Sequence, residues 1–287
     1  MKEFLEKILN TPTNEEFKRL YHGRGEKTYP FLTIDSINEI LFVQFFEKNN
    51  LEEEIIEFLK NTKKYPHIII KKRFTNETFA IKGEIPKIYY AIENNIKFKL
   101  NFYNQNIGYF GDSKNARKYI ETTSTNKRVL NLFAYTCGFS LFAKKGNAKE
   151  VINIDMSKSA LSIGMHNHQI NNLYDKTIKF LPYNILKSLK KIENLGKFDI
   201  IIIDPPTHQK GSFIASKDYI KIIKKLNNIS HTNTTLLACI NDPKIKKKEF
   251  INLIENNSNY KFKEKISPPK EYINSSLKSF IFSPKFI

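Results

Sequence analysis

From residue 127 onward, short apolar runs alternate with segments whose apolar residues recur every three or four positions. The runs cover 128–133, 150–154, 178–181, 198–203 and 235–240, and helical patterns follow near 140–145, 157–171, 219–229 and 250–254. The continuous apolar run 198–203 is typical of a strand buried on both faces. Regular alternation of this kind predicts an α/β fold with a doubly wound, mostly parallel sheet. Two last extended runs, 261–266 and 277–282, predict an antiparallel hairpin at the edge.

Residues before this region have a different pattern. Helical spacing occurs near 2–9, 14–21 and 50–61, and extended runs occur at 39–46, 67–74 and 97–102. A chain of 287 residues has room for two domains. We therefore predict a smaller N-terminal α+β domain over 1–124 and a Rossmann-like domain over 125–287.

Composition narrows the class of protein. Hydrophobic residues make up 40% and charged residues 26%, which excludes a disordered or low-complexity chain. Apolar runs stay well short of a membrane span, and the first ten residues lack the apolar core of a signal peptide. Two cysteines, Cys137 and Cys239, suit neither a disulfide framework nor a metal site. We expect a cytoplasmic protein without a metal or a membrane partner.

The charge is unevenly distributed. The net charge is +18, and the basic residues are almost all lysine. The first 60 residues carry 8 basic and 12 acidic groups, so the remaining 227 carry a net +22. Such asymmetry predicts a polyanionic partner, nucleic acid before a membrane surface.

Polar residues follow the predicted strands where ligands bind in such a sheet. The segment from Asn131 to Gly138 has one glycine, so it suits a pyrophosphate poorly. Asp155 ends the second strand, 24 residues after Asn131, and a carboxylate there can accept from both ribose hydroxyls. Asn184 follows the third strand, where an amide can bind an adenine edge. Adenosine recognition without a phosphate cradle points to S-adenosylmethionine rather than NAD or ATP.

Four segments carry a family resemblance: IGYFGDSKNAR from residue 107, NLFAYTCGFSLFA from 131, INIDMSKSAL from 152 and FDIIIIDPPTHQKGSF from 198. In this order and spacing they resemble class I S-adenosylmethionine-dependent methyltransferases. They resemble more closely the bacterial rRNA methyltransferase family that includes the large-subunit cytosine-C5 enzymes. The similarity runs from about residue 95 to residue 242. It implies a seven-stranded sheet with an antiparallel last strand and S-adenosylmethionine as the cofactor.

The resemblance also implies site residues. Those expected at the cofactor are Asp112 and Arg117 in the covering segment, Asn131, Phe133, Tyr135 and Gly138 at the methionine end, Asp155 at the ribose and Asn184 at the adenine. Those expected to hold the target base are Asp204, Pro205 and Pro206. The chain departs from the family at Asn184, often Asp, at Lys114, an Arg in the family, and at Cys137, often Gly. Larger members also carry an RNA-binding PUA domain, which has no clear counterpart in residues 1–60.

The base atom stays open at this point. Methylation at cytosine C5 needs a thiolate that attacks C6, and Cys239 falls where the relatives carry the first of two cysteines. Asn241 replaces the second cysteine, so Cys239 is either the nucleophile or a strand residue. In the alternative, Asp204-Pro205-Pro206 holds an exocyclic amine for nitrogen methylation and no cysteine is needed.

We therefore predict a methyltransferase that modifies a base of rRNA. Two other hypotheses are an RNA-binding protein with a degenerate cofactor pocket and a methyltransferase acting on a small molecule or a protein. The sequence leaves the modified nucleotide and the oligomeric state open.

Overall fold

The computed structural model describes residues 1–209, 211–272 and 274–285. The chain forms two compact units, Met1–Asp112 with Pro269–Ser275, and Ser113–Pro268 with Ser276–Ile287. The sequence places the boundary at residue 124, whereas the structure assigns residues 113–124 to the second unit. The reason is that Ala116 and Ile120 are buried in an apolar cluster of that unit.

Among its described residues, the first unit contains two α-helices and seven strands: α1 (Lys2–Leu9), β1 (Lys18–His22), β2 (Leu32–Ile37), β3 (Ile40–Phe45), α2 (Glu52–Lys60), β4 (His67–Lys72), β5 (Glu77–Lys82), β6 (Tyr89–Glu93) and β7 (Ile96–Leu100). Five strands form one sheet in the order β1-β2-β3-β4-β5, and β6 pairs with β7. Only β3 and β4 run parallel among these pairs, because α2 connects them as a crossover. The prediction of an α+β unit fits this architecture.

The helix predicted over 14–21 is wrong. Residues Lys18–His22 instead form β1, which pairs antiparallel with β2. Across this pair the Arg19 guanidinium donates to both carboxylate oxygens of the buried Asp35. Strand pairing and a shared ion pair therefore outweigh the local helical spacing.

The second unit alternates helices and strands: α3 (Lys114–Thr123), β8 (Arg128–Leu132), α4 (Gly138–Lys145), β9 (Glu150–Ile154), α5 (Lys158–Ile170), β10 (Ile178–Leu181), α6 (Leu189–Glu193), β11 (Phe198–Ile203), β12 (His208–Gln209), β13 (Phe213–Ile214), α7 (Ala215–Ile223), β14 (Ser230–Ile240), α8 (Lys247–Asn257), β15 (Tyr260–Ile266) and β16 (Lys278–Pro284). The helical pattern predicted over 219–229 divides into α7 and a short 3₁₀ helix, Leu226–Ile229.

Seven of these strands form one sheet in the order β10-β9-β8-β11-β14-β16-β15. The pairs from β10 to β14 are parallel, and β16 is antiparallel to both of its neighbours. The predicted doubly wound sheet with an antiparallel last strand is confirmed. The last two strands do pair antiparallel, but β16 is inserted between β14 and β15 and only β15 lies at the edge.

This order brings the carboxyl ends of β8, β9, β10, β11 and β14 to one edge of the sheet. The chain order reverses between β8 and β11, which is where such sheets bind ligands. In the described part of the chain, no helix is long and apolar enough to cross a membrane.

Candidate functional site

The loop after β8 has an unusual backbone. Phe133, Tyr135 and Cys137 have φ values of 59°, 47° and 63°, in the left-handed region that non-glycine residues avoid. Such conformations cost on the order of 1–3 kcal/mol each and persist where the surroundings enforce them. The loop ends at Cys137, the N-cap of α4, whose first residue is Gly138.

Asp155 lies at the end of β9 and holds this loop. One carboxylate oxygen accepts from the backbone N–H of Tyr135 at 2.9 Å, and the other from that of Ser157 at 2.8 Å. Ser157 in turn caps α5, accepting from the Ala160 N–H at 3.2 Å. Since a carboxylate has about four acceptor positions, Asp155 can hold the loop and still accept from a ligand diol.

A shallow, open cleft lies at Met156, the residue after Asp155. Its lining is Phe133, Met156, Tyr183, Asn184, Ile185, Leu186, Gln209, Ser212 and Phe213. Met156 directly follows Asp155 and is 41% exposed. The side-chain oxygen Oδ1 of Asn184 accepts from the Lys187 N–H at 3.2 Å, which leaves the side-chain NH₂ group as the donor at the cleft. Apolar walls suit an adenine ring, the side-chain amide can donate to a ring nitrogen, and the adjacent carboxylate can accept from ribose hydroxyls. These groups together fit an adenosine.

Asn131 lies beneath the loop rather than in the cleft. It is 1% exposed, and its amide donates to Asn153 at 2.9 Å in the neighbouring strand. Of the residues predicted for the cofactor, the structure brings Phe133 and Asn184 to the cleft, and Asp155 immediately precedes Met156 in its lining. Tyr135 contributes a backbone amide to Asp155.

The Asp204-Pro205-Pro206 segment follows β11 directly. Asp204 is half-buried, Pro205 is buried and Pro206 is exposed. The buried Tyr219 hydroxyl lies 3.2 Å from the carbonyl of Ile203 and 3.1 Å from that of Cys239, so it links the ends of β11 and β14. Burial, followed by the nearby Cys239 and Asp204, raises the Tyr219 pKa well above its usual value.

A role for Tyr219 was not predicted from the sequence, because its position fits the apolar face of the helix predicted over 219–229. A tyrosine on that face was the available signal, because a buried phenol normally finds a hydrogen-bond partner.

Cys239 is fully buried in β14. Its Sγ lies 3.4 Å from Ser279 Oγ in β16. The side chain shares a cluster with Val129 and Ile202, whereas the neighbouring Ala238 and Ile240 belong to the cluster that contains Phe133 and Phe213. The structure therefore does not bring the Cys239 sulfur to the cleft.

The predicted covering segment spans the unit boundary. Asp112 belongs to the first unit, where its carboxylate accepts from Ser275 Oγ at 2.8 Å. Arg117 belongs to the second unit, is 3% exposed, and has its guanidinium carbon 5.8 Å from the centre of the Phe142 ring. Their role at the cofactor stays a prediction.

Comparison with known proteins gives one family. A family model described as S-adenosylmethionine-dependent methyltransferase matches residues 18–282. Curated relatives include "Ribosomal RNA large subunit methyltransferase I" of Aeromonas salmonicida (strain A449), 34% identical over 191 residues, and that of Tolumonas auensis, 33% identical over 193. Each alignment covers 62% of this chain and 48% of the relative. The chain thus spans about half the length of the curated relatives it matches.

Solved structures share the fold. A putative methyltransferase from Streptococcus mutans superposes with a TM-score of 0.86 at 22% identity, covering 98% of this chain and 78% of that one. The tRNA m1G37 methyltransferase of M. jannaschii gives a TM-score of 0.64 at 19% identity, covering 92% of this chain and 76% of that one. At these identities the likeness shows the fold alone.

Proposed function

This chain belongs to the S-adenosylmethionine-dependent methyltransferase family, and we propose that it methylates a base of ribosomal RNA in the cytoplasm. The similarity to large-subunit rRNA methyltransferases is the observation that supports ribosomal RNA as the substrate. The net +22 outside the first 60 residues supports a polyanionic substrate. The alternatives are methylation of a small molecule, methylation of a protein, and RNA binding without catalysis. The experiments below distinguish them.

We propose that the cofactor lies across the carboxyl ends of β8, β9 and β10. Asp155 accepts from the ribose hydroxyls while its backbone contacts keep the loop after β8 in place. Met156 provides apolar contact for the adenine, Phe133 lies towards the methionine end, and the Asn184 NH₂ group donates to a ring nitrogen. When bound, the cofactor supplies an electrophilic methyl group on a sulfonium, so the protein mainly positions and desolvates the reactants.

The target base is proposed to lie against Asp204-Pro205-Pro206. Two successive prolines have fixed φ angles and no N–H groups, which gives a stiff surface with few competing donors. The Asp204 carboxylate can accept from a base N–H, and Tyr219 keeps the ends of β11 and β14 together behind it. Asp204 would thus hold the base and receive the proton that a methylated nitrogen releases.

We propose nitrogen rather than carbon as the methyl acceptor. The carbon-5 route needs a thiolate at the base, and the Cys239 sulfur is buried against Ser279. Cys239→Ala should therefore retain full activity with only a modest loss of stability. Complete loss of activity with intact cofactor binding, together with an adduct between the wild type and 5-fluorocytosine RNA, would establish the carbon route instead.

The direct test incubates the purified protein with labelled S-adenosylmethionine and rRNA from cells that lack the gene. We expect label in the RNA and one modified nucleoside by mass spectrometry. Asp204→Asn should lower kcat at least about 100-fold, with affinity for S-adenosylhomocysteine within twofold. The control Asp175→Asn changes an exposed carboxylate outside the site and should stay near wild type. Label in protein or in a small molecule, but not in RNA, would overturn the substrate.

A further inference from the structure

Four buried polar side chains form a continuous hydrogen-bonded chain beneath the proposed cofactor site. Asn131 Nδ2 donates to Asn153 Oδ1 at 2.9 Å, and Asn153 Nδ2 donates to Ser140 Oγ at 3.0 Å. Ser140 Oγ lies 2.9 Å from His168 Nε2, and His168 Nδ1 lies 2.8 Å from the Gly164 carbonyl. All four side chains are at most 1% exposed. The chain links β8, β9, α4 and α5.

The hydrogens can be assigned from one end. The Gly164 carbonyl can only accept, so His168 carries its proton on Nδ1 and its Nε2 accepts from the Ser140 hydroxyl. Ser140 then accepts from Asn153, and Asn153 from Asn131. Burial lowers the His168 pKa to about 4, which keeps the ring neutral in this arrangement. Every hydrogen bond is therefore donated in the same direction, from Asn131 towards the Gly164 carbonyl.

Three of the four members lie close in sequence to a residue of the proposed cofactor site. Asn131 precedes Phe133 by two positions, Asn153 precedes Asp155 by two, and Ser140 is in the first turn of α4.

Helix α5 reaches the loop at two further points. The Asn167 amide donates to the Thr136 carbonyl at 3.3 Å. Gly164 lies so close to Cys137 that an added Cβ would be 2.4 Å from the sulfur. Helix α5, which carries His168 of the network, therefore contacts the strained loop.

A buried polar network is not needed to hold a sheet together, because apolar side chains of similar size usually do so at least as well. Its particular property is that fully satisfied hydrogen bonds specify one arrangement. We propose that Ser140, Asn153 and His168 are positioning residues, which hold the left-handed loop and Asp155 in the geometry that binds S-adenosylmethionine. This inference rests on the proposed cofactor site.

Ser140→Ala tests the inference at the centre of the chain. It removes the acceptor of Asn153 and the donor to His168 in one step, at little change in volume. We expect the affinity for S-adenosylhomocysteine to fall about tenfold, because the two lost hydrogen bonds hold the loop and Asp155 in place and do not contact the ligand themselves. Ser230→Ala is the matched control: its hydroxyl is also buried and bonded, to the Leu226 carbonyl and Tyr260, but lies at the amino end of β14.

Both variants should show a similar fall in Tm, and only Ser140→Ala should lose affinity by calorimetry. The Tyr135 amide, which donates to Asp155, should also exchange faster in Ser140→Ala than in Ser230→Ala. If Ser140→Ala does not fold, His168→Leu interrupts the same chain and should give the same split. Unchanged affinity with a lower Tm would overturn the inference and leave the proposed function intact. A wild type that binds no S-adenosylhomocysteine would overturn both.

Discussion

The two ends of the seven-stranded sheet are built differently. At the amino ends a row of ionisable side chains crosses five strands. Lys179 Nζ and Arg128 Nε lie 2.8 Å and 2.7 Å from the two carboxylate oxygens of Glu150. The Arg128 backbone N–H donates to Asp199 at 2.7 Å, and His231 lies 3.0 Å from the same carboxylate. This end is held by part-exposed ion pairs and hydrogen bonds. Its left-handed positions before β8, β9 and β10 are Asn126, Asn147 and Asn172, a residue type that adopts this conformation more readily than most.

At the carboxyl ends, the loop after β8 has three left-handed non-glycine residues and the polar groups beneath it are buried and neutral. Asp155 is a charged group there, and backbone amides hold it. The difference teaches that this sheet separates stability from binding. Ion pairs stabilise the amino ends of the strands. At the carboxyl ends, hydrogen bonds hold a strained loop in one conformation.

The largest expected effect is a loss of folding stability at low pH, which arises at the carboxyl end of the sheet. The His168 pKa is about 4 in the folded protein because of burial, against 6.5 for a free histidine. As the pH falls, the unfolded chain therefore takes up a proton at His168 before the folded chain does. The stability that depends on neutral His168 is fully present above pH 6.5 and is lost as the pH falls towards 4. The loss should reach about 3 kcal/mol. Ring NMR signals of His168 that titrate near pH 6.5 would contradict this prediction.

A steric test comes next. Gly164→Ala places a Cβ 2.4 Å from the Cys137 sulfur and should cost about 2 kcal/mol of unfolding free energy. Cys137→Gly removes that sulfur and suits the left-handed backbone, so the double variant should recover most of the loss. Urea unfolding of the four proteins measures the coupling. Additive losses would show that the loop is not held by this contact.

At the amino ends, smaller effects are expected. Arg128→Met removes a part-exposed partner of Glu150 and should lower the unfolding free energy by about 1 kcal/mol. Affinity for S-adenosylhomocysteine should stay within twofold, because the change lies at the opposite end of the strands. A tenfold loss of affinity would show that the two ends are not independent.

The smallest effect concerns Lys247 and Lys248, the first two residues of α8, which follows the carboxyl end of β14. Cations are unfavourable at a helix N-terminus, so a role in binding phosphate would explain them. Replacing both with Ala should stabilise the helix slightly. The salt dependence of rRNA binding should fall by about one unit of slope for each lysine that contacts a phosphate. An unchanged slope would exclude these contacts.

Much of the second unit was predictable because its signals are local. The run 198–203 matches β11, since a strand covered on both faces is apolar along most of its length, as the four buried isoleucines from Ile200 to Ile203 are here. The prediction that Asp155 and Asp204 lie at one edge follows from parallel strands alone. The relation of Asn131 to Asn153 was not predictable in the same way. It depends on the register of β8 and β9, which pairs these two residues directly.

The first unit was less predictable for the same physical reason. Leu20 and Tyr21 fit a helical spacing locally, and only the pairing of β1 with β2 decides their conformation. The burial of Cys239 likewise depends on β16, which returns from the chain end to lie beside β14. Long-range strand pairing determines all three of these features.

Binding of S-adenosylhomocysteine to the wild type and to Asp155→Ala, measured by calorimetry, tests the central claim most directly. The account predicts that the wild type binds and that the variant loses about 1–3 kcal/mol of binding free energy, because a diol acceptor and the fixed loop are lost together. Equal affinity of the two proteins would contradict the assignment of this edge of the sheet as the cofactor site.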